Sequence, residues 1–323
     1  MPEAATDGEA VDATAAGGGS PRPEAGRSPA EAALAARGVT VTDYLARLGL
    51  DRSGAPSAGA LADLQARHLE RVVFENLEIQ RGRPTTVDYA ESAERIVKRG
   101  RGGYCLHLNG AFGLLLEALG YEVSRRRGTV QPALDQAPSR LLNHLVVLVH
   151  GLPTSAHPEG TWWTEVGLGD GPSEPVALRA GTREGDPYGY RLERSPVYAG
   201  GWRLLQGEGD GLGIVDIDST PAQTAEVAAA HERLSTSPES RFVRTATFQR
   251  RHAHHVDVLR ARSLSRVERN ATRTTLLADE GEWFAALADV FGLDLADVDA
   301  AERHALWERV RAQHEAWVAQ RDG

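Results

Sequence analysis

Apolar residues recur at three- and four-residue spacing through the first third of the chain. TVTDYLARLGL places Tyr44, Leu45, Leu48 and Leu50 on one face, which predicts a short helix. ALADLQARHLERVVFENLEI predicts a second helix that breaks near Phe74-Glu75-Asn76, and SAERIVKRG a third that stops at Gly100. In LHLNGAFGLLLEALGYEV, residues Leu106, Phe112, Leu115, Leu116 and Leu119 form an apolar face, with Gly120 as terminator. The character then changes. SRRRGTVQ, LLNHLVVLVHG, GTWWTEVGLG and PVALRAG are short, rich in Val, Trp and Thr, and separated by Gly and Pro, so they predict antiparallel strands. YRLERSPVYAGGWRLLQ continues that pattern. AEVAAAHERL predicts a helix, FVRTATFQRR and HVDVLRARSLSRVER predict strands, and EWFAALADVFGLDL and AERHALWERVRAQHEAWV predict closing helices.

Residues 1–36 have no such rhythm. They are Ala, Gly, Pro and acidic residues, with too little apolar surface to offset ordering entropy, and read as a disordered tail. Ser28-Pro29-Ala30-Glu31 is a capping-box pattern that allows a short helix at its end. The N-terminus lacks a basic start followed by an apolar segment, so no signal peptide is expected. No run reaches the roughly 18 apolar residues of a membrane span. A net charge of -9 argues against broad nucleic-acid binding. The chain has one cysteine, which cannot form an intrachain disulfide, and the cytoplasm is the expected compartment.

That cysteine stands in Arg101-Gly102-Gly103-Tyr104-Cys105, at or just before a helix N-terminus. A lone cysteine is commonly inert filling. Here the two glycines allow close backbone approach, and a helix N-terminus aims free N–H groups at a sulfur or a developing oxyanion. Two partners follow on predicted strands. His144 opens an apolar strand, where it serves equally as a satisfied polar residue at a sheet end. Glu165 lies between Trp and Val residues, and alternation puts it on the face of Trp163. A buried acid there needs a partner, and on a neighbouring strand it would take the hydrogen bond of the His144 ring.

FENL (residues 74–77), RGGYC with Asn109 after it, NHLVVLV and EVGLG, in this order and spacing, resemble the arylamine N-acetyltransferase family. LSTSPESRFV is similar to the segment that enters that family's third domain. The similarity covers about residues 39 to 300. It implies an α+β fold: an N-terminal helical bundle (37–122), a central antiparallel β-barrel (123–232) and a C-terminal α/β lid (233–323), around a papain-like Cys-His-acid core. It implies that Cys105, His144 and Glu165 are catalytic, with Cys105 taking an acetyl group from acetyl-CoA and passing it, in ping-pong fashion, to an arylamine, arylhydroxylamine or hydrazine. It further implies that an Arg101–Glu75 ion pair and Asn109 support the site, and that Tyr104, Leu106, Gly167, Leu168, Gly169 and Thr236 meet substrate or CoA. A homodimer is left open; nucleic acid and membrane are not expected partners.

Departures qualify the resemblance. Glu165 stands where the family has Asp. Leu106-His107-Leu108 replaces Phe-Glu-Gln, which implies a roomier aryl site, and Ser237 stands where His is common. His107 reads as a solvent-facing helix residue. Two other readings therefore stay open: an amide synthase fed by a carrier protein, and an inactive small-molecule binder. Arg125, Arg126 and Arg127 read as alternating across a strand edge rather than as a phosphate site. Gly167–Gly171 is a glycine-rich turn without the βαβ unit of a nucleotide loop. His252, His254 and His255 cluster without a matching cysteine or acidic pattern, and thiol chemistry needs no metal, so no metal is expected.

Overall fold

The computed structural model describes residues 26–131, 136–185, 187–207 and 213–322. Six helices come first: α1 (Pro29–Ala36), α2 (Val41–Arg47), α3 (Ala58–Arg71), α4 (Leu77–Gln80), α5 (Tyr89–Arg99) and α6 (Cys105–Ala118). Between α3 and α4 lies a two-residue strand, β1 (Phe74–Glu75), at the break expected from sequence. Ser28 and Glu31 complete a reciprocal capping box at α1. Leu34 then buries in the helical core, so residues 29–36 do not belong to a disordered tail. One well-placed leucine and a satisfied cap suffice to order a helix that composition alone left out. The rest of the tail, up to residue 25, lies outside the described residues.

α6 is the centre of this part. Every residue from Cys105 to Leu116 is buried, because helices cover one side of it and a sheet covers the other. That sheet has eight strands: β2 (Glu122–Val130), β3 (His144–His150), β4 (Trp162–Thr164), β5 (Val176–Ala177), β6 (Gly181–Arg183), β7 (Tyr190–Arg194), β8 (Trp202–Gln206) and β9 (Gly213–Pro221). All pairings are antiparallel, in the order β5-β4-β3-β2-β9-β8-β7-β6. The end strands β5 and β6 do not pair, so the expected closed barrel is a curled half-barrel. Both are only two or three residues long, too short to complete a ring of hydrogen bonds.

The chain then runs through α7 (Thr224–Thr236) and α8 (Arg241–Arg244) into β10 (Thr247–Arg251), β11 (His255–Arg260), β12 (Ser263–Glu268) and β13 (Ala271–Leu276). These strands form a second antiparallel sheet, and β1 joins its edge beside β10. The FENL segment therefore stitches the helical part to the last part of the chain. α9 (Glu280–Asp289) and α10 (Ala300–Asp322) close the fold. α9 stops before the FGLDL that sequence had assigned to it, where Gly292 takes a left-handed φ of 67°. Among the described residues no helix is long and apolar enough to cross a membrane.

Candidate active site

The turn Arg101–Cys105 is held by backbone contact. Gly100 ends α5 in a left-handed conformation, and the chain passes under β1, where the Glu75 N–H donates to Gly103 O at 2.9 Å. A Cβ on Gly102 would stand 1.7 Å from Val73 O, so only glycine fits. Arg95 reaches from α5 to Gly102 O at 3.2 Å. Cys105 thereby opens α6 with its sulfur 3.4 Å from Asn143 O, the residue before β3. Tyr104 gives α6 no side-chain cap, which leaves first-turn N–H groups beside the thiol.

His144, the first residue of β3, and Glu165, just past β4, are both buried; β3 and β4 are neighbours. The ring donates through Nε2 to Glu165 Oε2 at 2.8 Å. Its Nδ1 is buried and makes no hydrogen bond within the protein. Glu165 is surrounded by donors. Asn109 Nδ2 (2.8 Å) and the Gly167 N–H (2.7 Å) meet Oε1, and Trp163 Nε1 (3.2 Å) shares Oε2 with the ring. Four donors fill the carboxylate, which is the condition for keeping a buried charge. Burial disfavours the imidazolium, but the charge of Glu165, its hydrogen bond and the adjacent Cys105 outweigh that, and His144 is raised to about 10. The longer side chain of Glu is accommodated because Asn109, one turn after Cys105, also holds Leu145 O and the Val166 N–H, fixing the strand end at the needed distance.

Cys105 and His144 open on a cavity of about 400 Å³ between the half-barrel and the second sheet. Gly167 and Leu168 line it on one side, Phe74 and Phe242 on another, and Arg241 and Arg260 at its edge. Gly167 packs so closely that a Cβ there would lie 2.8 Å from Cys105 Cα. Gly169 approaches Gln249 on β10.

Other expectations need correction. Arg101 pairs with Asp297 and not with Glu75. Glu75 instead accepts the Leu77 N–H at 2.6 Å; burial raises its pKa, against the pull of Arg95 and Arg101 nearby. Leu106 points into the helical core, because the residue after the helix start turns away from the cavity. Tyr104 is buried on the far side, its hydroxyl donating to His231 Nδ1 at 2.6 Å while His231 Nε2 donates to Thr85 O. Thr236 faces solvent and bonds Glu232 O. His107 is buried rather than solvent-facing; α7 covers it, and both ring nitrogens lack a hydrogen-bond partner. Burial drives its pKa well below 6.5. Arg125 pairs with Glu117, Arg126 bonds Ser219 O, and Arg127 pairs with Glu226. Sequence reasoning missed Gln65, whose Oε1 accepts from both Thr164 Oγ1 and the Glu165 N–H across a hundred residues of chain. No local signal marks it.

A thiol and an imidazole on one cavity, with a carboxylate bonded to the imidazole, make an arrangement compatible with thiol chemistry. Comparison narrows that chemistry. The family described as N-acetyltransferase matches residues 58–300. An arylamine N-acetyltransferase of Mycolicibacterium smegmatis is 32% identical over 262 residues, covering 79% of this chain and 92% of the relative. One of Mycobacterium tuberculosis is 29% identical over 276 residues, covering 84% and 95%. The Mycobacterium marinum arylamine N-acetyltransferase in complex with CoA superimposes with a TM-score of 0.74 at 29% identity, over 84% of this chain and 98% of that one. The chain belongs to the arylamine N-acetyltransferase family, a family of transferases.

Proposed function

We propose that the protein is an acetyl-CoA:arylamine N-acetyltransferase in which Cys105, His144 and Glu165 act as a papain-like triad. The observation that carries the reading is the 2.8 Å Nε2–Oε2 bond between His144 and Glu165, which leaves Nδ1 for the thiol in the same cavity. A protonated ring beside the sulfur favours the thiolate. The thiolate attacks the acetyl carbonyl of acetyl-CoA, the first-turn N–H groups of α6 face the oxyanion, and the C–S bond to CoA breaks as the His144 imidazolium passes its proton to the CoA sulfur, so that CoA leaves as its thiol and the ring is left neutral. The arylamine or hydrazine nitrogen then attacks the Cys105 thioester. His144 accepts the amine proton as the amide forms and the sulfur is released. No step calls for a metal.

The half-barrel residues Gly167, Leu168 and Gly169 shape the acyl-donor arm of the cavity, and Arg101, Glu75 and Asn109 hold the frame around the turn. The division into a helical part, a sheet part and a lid over the cavity, and a cytoplasmic setting that keeps the thiol reduced, go with this reading. The test is an intact mass after mixing with acetyl-CoA. An adduct of about 42 Da, confined to Cys105 and discharged by an aniline or hydrazine, is expected. An adduct only from a carrier-bound acyl chain would make the protein an amide synthase. No adduct from any donor would make it an inactive binder.

A further inference from the structure

Gln65 is fully buried on α3, a helix that carries none of the triad. Its Oε1 accepts from Thr164 Oγ1 at 2.7 Å and from the Glu165 N–H at 3.1 Å, and its Nε2 donates to Pro172 O at 3.0 Å. The two donors fill both lone pairs of the oxygen. The amide stands only one way round. Turned over, it would set an N–H against the Glu165 N–H and an oxygen against the Pro172 carbonyl.

The segment these bonds hold is the one that carries the acid. β4 ends at Thr164, whose register partner is Val147, so the Glu165 N–H lies past the ladder. Side chains take over there. Gln65 accepts the Glu165 N–H, Asn109 Oδ1 accepts the Val166 N–H at 3.0 Å, and Glu165 Oε1 accepts the Gly167 N–H at 2.7 Å. At the far end three successive carbonyls are held the same way. Gln206 Nε2 donates to Asp170 O at 2.6 Å, Arg251 Nε to Gly171 O at 3.3 Å, and Gln65 to Pro172 O. Among the described residues Gln65 alone belongs to both groups. It ties the start of the loop to its end, and between them lie Gly167, Leu168 and Asp170 of the cavity wall.

We propose that Gln65 is a positioning residue for acyl transfer: by clamping the Glu165–Pro172 loop at both ends it holds the Glu165 carboxylate on the His144 ring. The inference rests on the triad reading above. Asn109 acts on the carboxylate itself, through Nδ2 to Oε1 at 2.8 Å, whereas Gln65 acts on the backbone that carries it. A backbone shift of about 0.5 Å would carry the 2.8 Å bond between His144 and Glu165 past the ordinary limit of about 3.2 Å. Gln65 is also neutral, so it steadies a buried carboxylate without adding a charge beside the imidazole.

The test is an NMR titration of the His144 ring, together with the pH profile of Cys105 alkylation, in the wild type and in Gln65→Leu, which keeps bulk and removes all three bonds. The proton affinity of the ring should fall about tenfold or more. The alkylation profile should move to higher pH, with the rate at pH 6 about tenfold lower. Gln65→Glu is the rescue. At pH 6 burial keeps the introduced acid protonated, so it accepts through one oxygen and donates through the other, and both readouts should return to within about threefold of the wild type. Gln65→Asn, a methylene too short to span both ends, gives the same readout as Gln65→Leu should the latter misfold. A melting temperature that falls while the ring titration and the alkylation profile keep their wild-type values overturns the proposal and leaves Gln65 a packing residue. So does failure of Gln65→Glu to restore what Gln65→Leu loses. The ring titrates without any substrate, so a protein that never takes an acetyl group from acetyl-CoA would refute the proposed transfer while the role of Gln65 is still read from His144.

Discussion

Two buried histidines flank the same cysteine and behave in opposite ways. His144 is raised to about 10, while His107, two residues after Cys105 on α6, is driven well below 6.5. Burial lowers both. The difference is a carboxylate: Glu165 accepts from the His144 ring, whereas His107 has no acid beside it and lies in T-shaped contact with Tyr104 and His231, near the positive charge of Arg95 and the Thr86 backbone. One side of α6 is thus built for charge and the other for packing. Proximity to the sulfur does not by itself raise a buried histidine; a satisfied buried acid does.

The largest break in that comparison comes from His144→Ala. It should slow acetylation of Cys105 by about 10³-fold in a single-turnover assay, within the usual range for losing a general base. Glu165→Gln keeps the bulk and removes the charge, so the His144 ring should come to resemble His107. Acyl transfer should fall by about 10²-fold, and direct NMR titration of the ring should show its pKa dropping. Glu165→Asp sharpens the comparison, since it keeps the charge but shortens the reach to four donors. Loss within about tenfold is expected, partly through misaligned bonds to Asn109 and Gly167.

Gly102→Ala tests the shared frame on which both sides rest. Its Cβ would collide with Val73 O, and a urea melt should show destabilisation of about 2 kcal/mol or more. The pH dependence of stability separates the two histidines in sign. A base raised on folding stabilises fully below its unfolded value of 6.5 and loses that contribution as pH rises through about 10, which is the His144 case. A base lowered on folding stabilises above 6.5 and loses that contribution as pH falls below it, which is the case for His107 and for His68, lowered to about 3 by burial. Denaturation midpoints measured from pH 4 to 10 should therefore decline at both ends. The smallest effect is His107→Leu. Removing two unpartnered ring nitrogens should leave stability unchanged or raise it by about 1 kcal/mol, flatten the acid-side decline, and leave Cys105 acylation within a few-fold.

What the sequence could disclose follows the same division. Strand alternation put Trp163 and Glu165 on one face, and the Trp163 Nε1 bond to Glu165 is that face seen in three dimensions. The break at Phe74-Glu75-Asn76 was legible from the interrupted apolar rhythm. Its role as an edge strand of the last sheet was not, because its partner β10 is distant in the chain. Leu106 and His107 were misplaced for a related reason. Which way a residue faces at a helix start depends on what covers the helix, here the half-barrel and α7, and that is a long-range fact. Arg101 pairs with Asp297 rather than Glu75 because the loop before α10 folds back to the turn that precedes α6. Gln65 was invisible for want of any local pattern around it.

The account turns on a protonated His144 ring, held by Glu165, activating the neighbouring sulfur. The most direct test is the alkylation rate of Cys105 by iodoacetamide at pH 6, in the wild type and in His144→Ala. The account predicts substantial reactivity in the wild type at pH 6 and at least a tenfold drop in the variant. Superimposable rates in the two proteins, with both thiols unreactive at pH 6, would contradict it.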